Sequence, residues 1–279
     1  PDRLSTLGNL AIAIEKLGGL EEAGDIKAEV LAGYKKIVDE SHPSRLAAKH
    51  NLASFFDTRA RRTGDADLRE RAKRMYREVI DVGKASGNTP HSIYPIINAK
   101  SSLAGMLGED GDFSQAVELQ EEVIDELVRN KDPMVYRYRL GLAQVYFTWG
   151  QATQDPELLE KARRILEGVL ALESGGQAIE LSTADRTTAK RLLVAVLGQS
   201  LEDDEALEQV DQIVKELQEE QVGTQKGRQL NTVMIAVKYQ KAWMHHQRDE
   251  YAEATELYEE LVEAMEDNPA IKPDWRLGT

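Results

Sequence analysis

The chain has 279 residues, 41% hydrophobic and 30% charged, with a formal net charge of −14 and no cysteine. This is enough apolar material to bury a core. Without cysteine, neither a disulfide framework nor a thiolate metal site can form, which fits a cytoplasmic setting. The charge is uneven, with 21 basic and 23 acidic residues in 1–140 but 14 against 26 in 141–279. A duplex-DNA binder carries a basic footprint, so no nucleic-acid partner is expected. No apolar run approaches the roughly 20 residues that span a bilayer, so no membrane partner is expected either. The chain begins Pro1-Asp2 without Met, and we read it as a piece of a longer, multidomain protein or a processed form.

Helical spacing of apolar residues predicts twelve helices and no strand. The first pair covers 4–17 and 20–39, turned at Gly18-Gly19. His42-Pro43 closes that pair, and proline suits the first turn of the next helix, where its missing N–H costs nothing. Helices follow at 44–62 and 66–85, broken at Thr63-Gly64-Asp65, then at 90–107 and 113–130, broken at Gly108 to Asp112. Asp132-Pro133 opens a helix with its core at 135–149. Asp155-Pro156, an N-cap followed by an N1 proline, opens 156–172. Ser174-Gly175-Gly176 is the strongest turn signal. Ser182 or Thr183 then starts a helix ending near Gly198, and an acidic helix covers 203–221. A loop at 222–227, a helix to Gln247 and another at 250–265 complete the set. The tail 267–279 falls outside the pattern, with Trp275 expected to pack over the last pair. Longer turns, such as Asp65 to Arg69 and Gln151 to Asp155, are expected to absorb the unequal repeat lengths.

Asn9-Leu10-Ala11 returns as Asn51-Leu52-Ala53, with relatives at Ser102-Leu103-Ala104, Gly141-Leu142-Ala143, Leu192-Leu193-Val194 and Gln240-Lys241-Ala242. In the second helix of each pair an alanine recurs at 23, 72, 116, 162, 206 and 254, followed at +4 and +7 by mostly apolar residues. A small residue marks a close helix crossing, and +4 and +7 share its face. A period in this range points to a solenoid of helix hairpins, which must stack because one pair cannot bury its apolar face alone.

The series resembles the tetratricopeptide repeat in its longer, kinesin-light-chain-like variety. The resemblance rests on His42-Pro43, Ala47 and Asn51-Leu52-Ala53 at an inter-repeat junction. It rests also on the turns Gly111-Asp112-Phe113-Ser114-Gln115-Ala116 and Asp249-Glu250-Tyr251-Ala252-Glu253-Ala254. It implies an all-α, right-handed α-solenoid of about six antiparallel helix pairs over residues 1–266.

No catalytic arrangement stands out, and no cofactor or metal is expected. Gly18-Gly19 and Gly175-Gly176 are hairpin turns rather than phosphate loops. His42 and His91 sit beside prolines as turn or cap residues, and the adjacent His245 and His246 point about 100° apart on a helix. Glu21-Glu22, Glu121-Glu122 and Asp203-Asp204 are read as acids at helix starts, where they favour the macrodipole. The basic run Arg59, Arg61, Arg62, Arg69, Arg71, Lys73, Arg74 and Arg77 is either an anion patch or a solvated face. Its solvated form would be partly neutralised by Asp65, Asp67, Glu70 and Glu78, and the placement of Arg69, Lys73 and Arg77 away from Ala72 and Tyr76 favours it.

The resemblance implies that first helices line a concave groove holding an extended peptide or a partner helix. By register, the groove candidates are Asn9, Ile12, His50, Ser54, Asn98, Arg137, Gln144, Arg191, Tyr239, Trp243 and His246. Arg137, Tyr239 and Trp243 lead, since Arg and aromatic anchors dominate interfaces. The Lys and Asn of chaperone-tail clamps are absent: the corresponding positions hold Gly8, Ile12, Ala47 and His50. The expected function is a non-catalytic scaffold for a protein or peptide. The alternative is a ligand-sensing, regulatory segment of a larger signalling ATPase or transcriptional regulator.

Overall fold

The computed structural model describes residues 2–86, 93–172, 181–199, 204–221 and 227–266. Among them are twelve helices and no strand: α1 (Asp2–Lys16), α2 (Leu20–Ile37), α3 (Pro43–Thr63), α4 (Ala66–Ser86), α5 (Ile93–Glu109), α6 (Phe113–Arg129), α7 (Val135–Thr153), α8 (Pro156–Ala171), α9 (Thr183–Leu197), α10 (Asp204–Gln221), α11 (Gly227–Gln247) and α12 (Tyr251–Glu266). The expected helix start at Pro90, His91, the turn at Ser174-Gly175-Gly176 and the tail with Trp275 lie outside the described residues.

Backbone chemistry sets the hairpin turns. One residue takes the left-handed conformation and the next begins or caps a helix. Gly18 (φ 92°), Gly64 (φ 71°) and Gly111 (φ 84°) do so where no Cβ opposes it, while Gln154 and Asp249 do so at φ 53° and 61°. After Gly64, the Asp65 carboxylate accepts from the amides of Asp67 at 2.9 Å and Leu68 at 3.1 Å. Asp155 accepts from the Glu157 amide at 2.9 Å, with Pro156 at N1. Between repeats, His42 Nδ1 accepts from the Ser44 amide at 3.2 Å and Ser182 Oγ from the Asp185 amide at 3.1 Å. Each cap satisfies donors that the helix start leaves unpaired.

These caps correct the expectation of long turns. Only Gly64 and Asp65 separate α3 from α4, and only Gln154 and Asp155 separate α7 from α8. The additional length lies in the helices, four of which run 19 to 21 residues. The turns stay short because a left-handed residue followed by an acidic cap closes a hairpin in two positions.

The chain forms two compact units, residues 1–132 and 133–279. The first holds the hairpins α1/α2, α3/α4 and α5/α6; the second holds α7/α8, α9/α10 and α11/α12. Inside each unit a second helix packs on the first helix of the next repeat, and neighbouring first helices touch in α3–α5, α7–α9 and α9–α11. Second helices of adjacent repeats make no comparable contact, so the first helices gather on the inner side of each unit. The recurrent small residues are the crossing points. Ala11, Ala23, Ala53, Ala72, Ala104 and Ala116 in the first unit, and Ala143, Ala162, Ala206 and Ala242 in the second, are fully buried. Tyr76, Val79, Val123, Leu166, Val169 and Val210, at +4 and +7, lie beside them with at most 1% exposed.

Candidate functional site, the inner wall and its ion pairs

In the first unit Asn9 on α1 and Asn98 on α5 are exposed, and His50 on α3 is half-buried. The His50 ring tilts on Tyr76 at 5.5 Å, with Nδ1 3.4 Å from Asn51 Oδ1 and Nε2 3.5 Å from Ser102 Oγ. Burial of His50 and the nearby Lys27 charge outweigh its hydrogen bonds with Asn51 and the Asn98 backbone, holding its pKa below the ordinary 6.5. Burial also pushes the Tyr76 phenol up to about 12, against the opposing effect of hydrogen bonds with Ser102 and Ser54. Ser54 is thus drawn toward the Tyr76 hydroxyl.

In the second unit Arg137, Gln144, Arg191 and His246 are exposed, while Tyr239 and Trp243 are half-buried. Arg137 is already engaged: it donates to Asp185 Oδ2 at 3.2 Å, joining α7 to α9. The same oxygen accepts from Ser182 Oγ at 2.6 Å and from the Tyr136 hydroxyl at 3.4 Å. Gln144 donates to Thr148 Oγ1 at 3.2 Å. Tyr239 packs edge-on to Tyr258 at 5.9 Å, and His246 edge-on to Tyr251 at 5.4 Å. His245 is buried instead, 2.6 Å from Glu250 Oε2, so the adjacent histidines face different surroundings. No group of three or more His, Asp or Glu residues among the described residues could hold a metal ion, and no described helix is long and apolar enough to cross a membrane.

The basic run is only partly a solvated face: Arg59, Arg62, Arg74 and Arg77 are exposed, while the other four cations are engaged. Lys73 is buried and pairs with Glu70 at 2.7 Å and with Asp110. Arg69 donates to Asp110 at 2.8 Å, to Glu109 at 3.1 Å and to the Met106 carbonyl at 3.0 Å. Arg61 joins Asp57 at 3.2 Å and Glu109, and the Arg71 guanidinium lies 4.1 Å from the Phe56 ring centre. Of the acids expected from proximity in sequence Glu70 does serve the run, and the other acceptors are Asp57, Glu109 and Asp110. The third hairpin's turn brings Glu109 and Asp110 over α4. Glu121-Glu122 is likewise in the middle of α6, and Glu122 serves Lys100 at 2.5 Å rather than a helix start.

That last pair belongs to a regular set absent from the sequence reading. Four positions before the inner small residue, the first helices carry Lys49, Lys100, Arg139, Lys190 and Lys238. Lys49 meets Glu78 at 2.9 Å, Lys190 meets Glu216 at 3.0 Å and Lys238 meets Glu260 at 2.6 Å, each across its own hairpin. In the first hairpin Arg3 meets Glu29 at 3.3 Å. Alignment on the recurrent alanines would have exposed the row of cations.

The second unit also holds an open cleft of about 810 Å³ among α8, α9 and α10. It exists because α9 and α10 pack far less closely than the helices of any other hairpin. Leu170, Leu193 and Ile213 give it apolar walls, and Arg186, Lys190 and Glu216 charged ones.

No family model and no curated protein matches the chain. Solved structures do. A Podosopora anserina kinesin light chain with nearly identical TPR-like repeats is 22% identical over 81% of this chain and 98% of its own, with a TM-score of 0.60. BtubC (BKLC) from P. vanneervenii is 18% identical over 79% and 81%, at 0.59. The apo form of RapI is 11% identical over 95% and 98%, at 0.57. The fold is therefore an all-α solenoid of helix pairs. It is the tetratricopeptide-repeat fold in its kinesin-light-chain-like form.

Proposed function

We propose that the protein is a non-catalytic scaffold that binds a protein or peptide along the inner wall of its first helices. The observation that supports this is the gathering of first helices in α7–α9–α11, the helices that carry Gln144, Arg191, Trp243 and His246. Arg191 and Trp243 are the best anchors, since Arg137 is engaged by Asp185 and would have to exchange one partner for another. Affinity capture with the wild-type chain, Arg191→Ala, Trp243→Ala and the outward control Glu118→Ala tests the reading. A partner retained by the control and lost by both inner-wall variants supports it. Equal capture by all four chains overturns it.

The cleft among α8, α9 and α10 favours a second reading, a ligand-sensing regulatory segment. Its volume falls in the range of small-molecule sites, and apolar walls with a few charged groups suit such ligands. A small molecule that raises the melting temperature of the wild type, but not of Leu193→Trp, would support this second reading.

A further inference from the structure

Among the described residues, the fourth hairpin lacks the ion pair that joins the two helices in each of the other five. Its cation is present: Arg139 occupies the register of Lys49, Lys100, Lys190 and Lys238. Its acceptor is missing. Six positions after the recurrent alanine, the second helices carry Glu29, Glu78, Glu122, Gly168, Gln212 and Glu260. Where Gln212 stands, Glu216 one turn later takes over and holds Lys190; the matching position in the fourth hairpin is Leu172. Neither place offers a carboxylate to Arg139.

Arg139 is half-buried, and among the described residues it is the one buried or half-buried Lys or Arg with no ion pair, side-chain hydrogen bond or ring contact. A half-buried guanidinium without a protein acceptor keeps its fork of N–H donors available to a ligand. A Cβ built on Gly168 meets nothing within 4 Å, so the room that a glutamate would use begins as open space. We propose that Arg139 is a receptor for a carboxylate brought by a bound ligand, with the chemistry of a glutamate side chain, which completes the hairpin's cross-helix pair from outside. The ligand class follows from the other hairpins, where the acceptor is always a carboxylate. The Arg fork is matched to a carboxylate, to which it can donate two parallel bonds. As a description of what the inner-wall partner carries, it rests on the scaffold reading.

The test uses the full chain with ¹⁵N-labelled arginine and glutarate as the probe. The Arg139 Nε–Hε resonance, assigned by its loss in Arg139→Lys, is followed at constant ionic strength against glutarate, inorganic phosphate and chloride. A saturable shift with glutarate is expected, unchanged in Gly168→Ala. In Gly168→Glu, the installed carboxylate should move the resonance toward its bound position without ligand and weaken glutarate binding by about tenfold or more, roughly 1.4 kcal/mol. A response that never saturates, or one identical in Gly168→Glu and the wild type, overturns the proposal. Saturation by phosphate and not by glutarate overturns the carboxylate assignment. The titration needs no partner, so its failure and a failed capture experiment are distinguishable.

Discussion

Arg69 on α4 donates to the main-chain carbonyl of Met106 at 3.0 Å, at the end of α5 in the next repeat. The Asp110 amide bonds the same oxygen at 3.1 Å. One guanidinium therefore closes a helix end and pairs with the two acids that follow it. Its side chain is 22% exposed, so the charged hydrogen bonds are partly shielded from water. Arg69→Ala should destabilise the chain by about 2 kcal/mol, since bonds to charged groups are worth roughly 1.5–3 kcal/mol. Arg62→Ala, at an exposed position without such bonds, should stay within about 0.5 kcal/mol. Thermal melts of both variants check the contrast.

The same network predicts acid sensitivity. Burial opposes ionisation of Asp110, but hydrogen bonds and charge from Lys73 and Arg69 prevail and hold its pKa below the ordinary 3.8. A depressed carboxyl contributes stability that is complete above the unfolded-state value and is lost as pH falls through the folded one. The melting temperature should therefore fall below the ordinary aspartate range. Asp110→Asn should start lower at neutral pH and show a shallower acid decline.

His50 predicts a separate slope nearer neutrality. Its folded pKa is lowered, chiefly by burial, so the unfolded chain takes up its proton first. Stability should fall as pH drops through the ordinary 6.5 toward the folded value. Melts between neutral pH and the mildly acid range should show this decline in the wild type, and His50→Gln should flatten it. An unchanged slope in the variant would mean that His50 is not its source.

Two glycines should respond oppositely to the same substitution. An added Cβ at Gly83 would sit 2.2 Å from Ile96 Cδ1 and 2.5 Å from its Cγ1, and Ile96 is 2% exposed. Gly105 in α5 meets nothing within 4 Å. Gly105→Ala should stabilise by about 0.5–1 kcal/mol through helix propensity and unfolded-state entropy. Gly83→Ala should destabilise by about 1–3 kcal/mol, because overpacking at the α4–α5 contact exceeds that gain. Melting shifts of the same sign would contradict the close approach.

The sequence by itself determined the repeat. Helical periodicity, the alanines at 23, 72, 116, 162, 206 and 254, and breaks such as Thr63-Gly64-Asp65 and Asp155-Pro156 are local signals. Local backbone preference and the spacing along one helix face are enough to read them. Which residues stand on the first helices was legible for the same reason. What those side chains touch was decided only by tertiary structure. Arg69 and Lys73 look like an exposed stripe on α4 until the next repeat's turn brings Asp110 onto them, and Arg137 looks free until the N-terminus of α9 brings up Asp185. Ion pairing depends on distances between residues 22 to 48 positions apart, set by how two helices cross within a hairpin and how one hairpin packs on the next. The absence of a partner for Arg139 among the described residues follows the same physics: the missing side chain at Gly168 matters only because folding places its equivalents against the neighbouring helix.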